Sequence, residues 1–326
     1  MNRVKFDLEL FSALNEEYAS KPIAPASTPA DIERRTGKRT NRLDKLLDIR
    51  GKRVLDVGCG RAAVAHELAT AFDCTVTGVD IEEYAEWSAL RHPRVTLKKL
   101  DISQGHDLAP GSFDVIYSWS VMEHVQHPFH MLKTCRDLLA PGGRFFLVAH
   151  LYRSATGSHR SREVFFPWPH LLFTDDVFEE FYVRKTRKPN RPAWLNKLTY
   201  ADYFRYFEML GYVVEKEVVR KRELDTAFYE RFSDELSKYS IFDLTANAVE
   251  VVLSVDPAAV RASKKGRVHR LVRREFIRKA KGAGKFASEP RVPLVGERLE
   301  RGARKVLRVL RKSLVSAKTK IAKSKG

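Results

Sequence analysis

Short apolar runs alternate with amphipathic stretches through the middle of this chain, and the alternation predicts its architecture. Val54-Leu55-Asp56-Val57 reads as a buried strand with a helix over 61–72 behind it. Val76-Thr77-Gly78-Val79 is a second strand, followed by helical residues 82–90. Val95-Thr96-Leu97 begins a third, and Phe113-Asp114-Val115-Ile116-Tyr117 forms a fourth. Residues 129–140 are helical, Pro141-Gly142-Gly143 turns the chain, and Phe145-Phe146-Leu147-Val148-Ala149 is a fifth strand. Strands and helices alternating over short connections build a parallel sheet covered on both faces. Residues 151–198 break this rhythm with aromatics, prolines and histidines. Thr199 then stands where it can cap a helix that ends at Gly211, and β-rich runs at 212–219 and 248–255 follow. Upstream, a short N-terminal helix and a connector with Pro22, Pro25 and Pro29 lead to a helical stripe of Leu43, Leu46 and Leu47.

Charge divides the chain. Of its 326 residues, 59 are Lys or Arg and 41 Asp or Glu, a formal net charge of +18. Residues 261–326 hold 23 of those basic groups against 4 acidic ones, and the preceding 260 residues hold 36 against 37. A near-neutral body therefore carries a cationic tail. With 44% hydrophobic residues the body can bury a core, which excludes a wholly disordered or collagen-like chain. Cys59, Cys74 and Cys135 contain no C-x-x-C pair, so neither a disulfide framework nor a zinc ribbon is expected. Met1 to Asp7 meets acidic residues before any apolar run, and no stretch reaches the ~20 apolar residues of a membrane-spanning helix. The expected location is cytoplasmic.

Candidate chemistry gathers at the carboxyl ends of the strands, where open parallel sheets bind ligands. Gly58-Cys59-Gly60 follows the first strand, and glycine there permits close backbone approach to a ligand beside free helix amides. Gly58 to Ala63 also fits the G-x-G-x-x-A dinucleotide pattern, with Asp80 placed for a ribose, so a dehydrogenase is one reading of the loop alone. The surroundings separate the two. Asp56 lies inside the end of the first strand, Asp80-Ile81 follows the second, Asp101-Ile102 the third, and Ser118 to His124 the fourth.

In these residues the chain resembles the class I S-adenosylmethionine-dependent methyltransferases, close to the ubiquinone/menaquinone methylase group. Val54 to Gly60 is similar to the family's first motif. Phe113 to Tyr117, Glu123-His124 and Leu138-Leu139-Ala140-Pro141-Gly142-Gly143 resemble its later ones at the family's spacing. The resemblance covers residues 51–150 most closely and implies a Rossmann-like, seven-stranded, mostly parallel α/β sheet with helices on both faces, followed by a basic helical tail. The implied division is an N-terminal segment and linker over 1–50 and a methyltransferase domain over 51–256. Residues 151–198 form an acceptor-pocket insertion within that domain, and 257–326 are the tail.

The implied cofactor is S-adenosylmethionine. The Gly58, Cys59 and Gly60 loop would lie against its methionine part, with Asp56 and Ser118 at the ammonium. Asp80, beside Ile81, would accept from the ribose hydroxyls. Asp101 would accept from the adenine amino group, with Ile102 packing on the ring. The family's third loop glycine is Ala62 here.

A hydroxyl acceptor needs a base, and histidine suits that role. The candidates in order are His159, His150 and His170; His124 belongs to the family's Glu-His pair. Aromatic residues around them, Trp168 among them, are the walls a sugar or ring-bearing acceptor would want. In some quinone O-methyltransferases a similar patch, with an acid three residues before the Glu, holds a divalent metal; that position is Ser120 here, so no metal is expected. In the tail, helical stretches over 267–281 and 303–322 are predicted, the second with an apolar seam of Leu307, Leu310, Leu314, Ala317 and Ile321 flanked by Lys and Arg. Such a helix suits an anionic membrane surface. Residues 303–326 offer no aromatic to stack on bases, which weighs against nucleic acid. The expected activity is O-methylation of a glycan or lipid-linked saccharide at the inner face of a membrane. The alternatives are methylation of RNA or an RNA-associated protein, and a non-catalytic cofactor-binding module.

Overall fold

Alternation of side chains along each strand decides which helical layer a residue meets. The computed structural model describes residues 4–22, 29–187 and 194–255. Its seven strands are β1 (Arg53–Val57), β2 (Thr75–Asp80), β3 (Val95–Lys99), β4 (Phe113–Trp119), β5 (Leu139–His150), β6 (Val213–Lys221) and β7 (Ala246–Ser254). They form one sheet in the order β3-β2-β1-β4-β5-β7-β6. Strands β1 to β5 pair in parallel, and β7 runs antiparallel between β5 and β6. The helices are α1 (Leu8–Glu17), α2 (Pro29–Leu47), α3 (Ala63–Ala71), α4 (Glu86–Ala89), α5 (Pro128–Leu138), α6 (Pro169–Leu172), α7 (Asp175–Thr186) and α8 (Tyr200–Met209). Three short ones, α9 (Thr226–Arg231), α10 (Ser233–Leu236) and α11 (Ile241–Thr245), lie between β6 and β7.

Val54, Val115, Phe146, Val148 and Val252 face α2 and α3, against Leu43, Leu47, Ala65 and Leu68. Their strand neighbours Leu55, Ile116, Phe145, Leu147 and Val251 face the other way, against Met131 and Leu132 of α5 and Tyr203 and Phe207 of α8. The continuous apolar runs of the sequence are thus strands buried on both faces. Thr199 and Asp202 close a reciprocal capping box at the start of α8.

Three elements differ from expectation for local reasons. The helix expected over 82–90 shrinks to Glu86–Ala89, because the Asp80 carboxylate accepts the Glu82 N–H at 3.1 Å and holds the chain in a turn. Helix α2 begins as far back as Pro29, a residue suited to a first helical position. Pro141-Gly142-Gly143 does not separate helix from strand. Strand β5 already pairs Leu139 with Phe113, then absorbs the extra residues where the register steps to Val115 and Arg144.

The segment after β5 overturns a further expectation. Most of its aromatics, Phe166, Trp168, Phe173, Phe178 and Phe181, do not wall an open acceptor pocket but form a third apolar core with α1 and the α9–α10 helices, while Tyr152 lines a small cavity and Trp194 is exposed. Phe11 meets the rings of Phe166, Phe173, Phe178 and Phe181 at centroid distances of 5.0, 4.9, 5.1 and 4.6 Å. Trp168 is buried there, its indole N–H donating to the Leu244 carbonyl at 3.1 Å.

One buried charge ties the layers together. Glu250 of β7 accepts from Arg42 Nε of α2 at 2.8 Å and from Arg220 of β6 at 2.6 Å, with only 2% of its surface exposed. Removing one member of such a set leaves the others desolvated and unpaired. Glu250→Gln, which keeps the shape and loses the charge, is expected to lower unfolding stability by about 2 kcal/mol in urea denaturation, moderated because both arginines reach solvent.

The cationic tail from 257 onward, and with it both tail helices and the membrane seam, lies outside the described residues, as do residues 23–28 of the proline-containing connector. Among the described residues no helix is long and apolar enough to cross a membrane.

Candidate functional site

The carboxyl ends of β1, β2 and β4 converge on the glycine loop. Gly58 sits at φ +79°, and a Cβ placed on it would lie 2.3 Å from the Val121 side chain beyond β4. Only glycine allows the loop and the β4 exit to touch here. The Gly60 N–H donates to Asp80 Oδ2 at 2.8 Å, and the Trp87 indole donates to the Gly60 carbonyl at 2.7 Å. Cys59 donates its N–H to the Val79 carbonyl at 3.1 Å; burial pushes its thiol pKa up, so it is no nucleophile at neutral pH. Ala62, where the related loops carry glycine, holds a left-handed φ of +61°. The alanine therefore holds backbone strain of about 1 kcal/mol.

Asp56, 3% exposed, has its pKa raised to about 7 by burial, with the Arg39 guanidinium pulling the other way. Arg39 comes from α2 and lies over the Trp119 ring at 5.0 Å. Together Asp56 and Arg39 offer one anionic and one cationic group, the complement of an amino acid's ammonium and carboxylate. Sequence reasoning missed Arg39. The signal was present in the helical spacing of Arg35, Arg39 and Arg42, which puts three arginines on one face of α2.

Asp80 keeps lone pairs free beyond its two backbone bonds, and Ile81 beside it is 66% exposed. Asp101 is held by the Ser103 N–H and hydroxyl and by Gln104, bonds that lower its pKa against the opposing effect of burial. Two assignments do not fit the geometry. Ile102 is buried in the core at 3% exposure, which leaves Ile81 as the exposed apolar residue. Ser118 is fully buried and spends its hydroxyl on the Val57 carbonyl at 3.1 Å, stitching β4 to β1. These residues otherwise fit S-adenosylmethionine: a cradle that no Cβ could enter at Gly58, a buried acid beside a cation, and an acid with an exposed apolar neighbour.

A second cluster sits past β4 and β5. His150 ends β5 half-buried, with Nε2 3.2 Å from the Ser120 hydroxyl, and Ser120 holds a left-handed φ of +58°. Burial lowers the His150 pKa to about 4, with Arg220 next in effect, so the ring is neutral at pH 7. The His159 ring stands edge-on to His150 and to His124, with centroids 5.4 and 4.9 Å apart. His170 is elsewhere. Its Nε2–H donates to the Tyr152 carbonyl at 2.5 Å, and its Nδ1 is buried without a partner. That bond closes a turn so tight that a Cβ on Gly157 would fall 1.8 Å from the same carbonyl. His170 is thus held in packing, against its place among the expected bases. Asn196, which sequence reasoning passed over, holds the turn after β4 through the Met122 carbonyl at 2.7 Å.

A family model described as a methyltransferase domain matches residues 30–197. The ubiquinone biosynthesis O-methyltransferase of Dechloromonas aromatica is 33% identical over 110 residues, 32% of this chain and 47% of that protein. The protein of the same name from Neisseria meningitidis is 36% identical over 114 residues, 33% of this chain and 48% of its own. The chain thus spans about half the length of the curated relatives it matches. An S-adenosylmethionine-dependent methyltransferase from Mesorhizobium loti superposes with a TM-score of 0.43 at 19% identity, over 65% of this chain and 95% of that one. By the family match across just over half its length, the chain belongs to the methyltransferase-domain family.

Proposed function

We propose that this protein transfers a methyl group from S-adenosylmethionine to a hydroxyl oxygen of a small-molecule acceptor, with His150 as the group that takes the hydroxyl proton. The observation that carries the reading is the position of His150: at the carboxyl end of β5, next to the glycine-loop cleft, neutral, and oriented by Ser120. Bound there, the cofactor supplies a methyl already activated on sulfonium. The chain's task is then alignment and proton removal. Asp56 and Arg39 hold the amino-acid end and Asp80 the ribose, while the proton leaves through Ser120: its hydroxyl takes the acceptor's proton as it gives its own to His150 Nε2, and the acceptor oxygen becomes nucleophilic. His150 replaces His159 at the head of the candidate bases because it has the orienting hydroxyl.

The names of the relatives favour an acceptor of ubiquinone biosynthesis. The glycan or lipid-linked saccharide drawn from the sequence rested on aromatic walls that the fold buries and on the tail. Methyl-labelled cofactor, added with the protein to a dialysed lysate, separates the possibilities. Label in organic-extractable material that survives mild acid supports a quinone-type acceptor, and acid-released sugar supports a lipid-linked saccharide. Aqueous, ribonuclease-sensitive label, lost on deleting residues 261–326, means RNA. No label above an Asp80→Ala control leaves only a cofactor-binding module and sinks the proposal. With an acceptor in hand, His150→Gln is expected to lower kcat about 100-fold while cofactor affinity stays within twofold.

A further inference from the structure

The cluster past β4 contains a group the methyl-transfer reading leaves unused. Glu123 is 3% exposed, and among the described residues neither of its carboxylate oxygens has a hydrogen-bond partner. Burying a carboxylate this way is costly unless something neutralises it. Beside it, His124 donates its Nδ1–H to the Trp194 carbonyl at 3.0 Å, which fixes the tautomer and leaves Nε2 as a free lone pair. A histidine oriented through its other nitrogen by a backbone carbonyl is the usual form of a metal ligand. His159, at the open side of the cluster, holds a left-handed φ of +55°. One ligand atom from each of Glu123, His124 and His159 lies within 4.8 Å of the other two. Glu123 and His159 also line a small cavity of about 10 Å³, with His150, Tyr152 and Lys197 among its other walls.

We propose that Glu123, His124 and His159 form a binding site for one divalent transition ion of the zinc class. The donor set is one carboxylate and two imidazoles, which suits Zn²⁺, Co²⁺ or Fe²⁺ over Mg²⁺ or Ca²⁺. Bonds of ~2.1 Å in a tetrahedral arrangement put ligand atoms about 3.4 Å apart, so side-chain shifts of about 1 Å close the set. Ser120 supplies nothing to it. The third ligand comes from the segment after β5, a chain position that spacing around Glu123-His124 could not reveal. Three protein ligands leave a further coordination position. A hydroxyl bound there would be acidified by the ion's charge.

The test reads the ion directly and so stands apart from the methyl-transfer proposal. Full-length protein is stripped with chelator and titrated with Co²⁺, following visible ligand-field absorption, with Zn²⁺ then displacing it. One equivalent is expected to give the intense bands of a low-coordinate N/O site. Glu123→Gln and His159→Gln should each weaken that equivalent at least about 100-fold, more than loss of an outer-shell partner does. Binding of S-adenosylhomocysteine within twofold of the parent shows that each variant is folded. Surface histidines such as His66 and His92, whose rings lie 6.0 Å apart, supply the control: His66→Gln should leave the equivalent intact. Folded variants that bind Co²⁺ as the parent does, or a parent that shows no low-coordinate bands, would overturn the site. Should a glutamine variant fail to fold, His124→Asn gives the same comparison.

Discussion

Affinity for S-adenosylhomocysteine is expected to fall about tenfold per pH unit below 7, and Asp56→Asn to lose about 100-fold and become flat over the same range. Burial raises the Asp56 pKa to about 7, and a carboxylate must be ionised to hold an ammonium group. Below that pKa each unit of pH removes a tenfold share of the competent form; above it the dependence vanishes. Replacing the charge with an amide removes a buried charge-assisted hydrogen bond of about 3 kcal/mol, which is about 100-fold. The sign for stability runs opposite. A carboxyl whose folded pKa is raised stays protonated in the native state while its unfolded counterpart ionises. Between about pH 4 and 7 the ligand-free protein therefore loses stability as pH rises. Asp56→Asn escapes this loss, so at pH 8 the ligand-free variant should unfold at higher urea than the parent, by an order of a few kcal/mol. Calorimetric titration from pH 5.5 to 8 with urea denaturation checks both halves. A variant that binds poorly because it is misfolded would be less stable, and a parent with pH-independent affinity would remove Asp56 from the ammonium site.

The strands and their order of chemistry were legible because the first three read as short apolar runs leading into an acid or glycine, and the next two as runs leading into Ser118 and His150. Asp56, Asp80 and the Gly58–Gly60 loop come from that local code, and the structure assembles them at one cleft. What the sequence did not display are contacts made across the chain. Arg39 reaches the cleft from a helix that starts before the first strand. Glu250 matters only because β7 inserts between β5 and β6, bringing Arg42 and Arg220 to it. The aromatics of 151–198 look like a ligand pocket until Phe11, some 150 positions upstream, is seen to fill their centre. Composition cannot tell an aromatic wall from an aromatic core, since both need the same residues. His170 and Ser118 misled for a related reason: their residue types suit chemistry, but the Tyr152 and Val57 carbonyls take their hydrogen bonds.

Gly58→Ala is expected to lower stability by about 3 kcal/mol, and Val121→Ala in the same chain to restore only part of it. Two separate penalties meet at this position. At φ +79° an L side chain sits in the left-handed region, at a cost of about 1–2 kcal/mol whatever the space around it. The new methyl would also lie 2.3 and 2.7 Å from the two Val121 methyls and 3.0 Å from the Val121 Cβ, where nothing can give without moving the exit of β4. Overpacking of this kind costs about 1–3 kcal/mol. Trimming Val121 to Ala removes both clashing methyls, but neither the backbone strain nor the close Cβ. The double variant should therefore recover about half the loss, giving a coupling energy of about 1–2 kcal/mol in a double-mutant cycle measured by urea denaturation. Cofactor affinity should follow the same order, because the displaced segment is the loop that Asp80 holds through the Gly60 N–H. Full recovery in the double variant would mean that the loop relaxes out of its left-handed turn. Additive losses would mean that glycine loop and β4 exit do not touch, and the cleft between them would then have to be built differently.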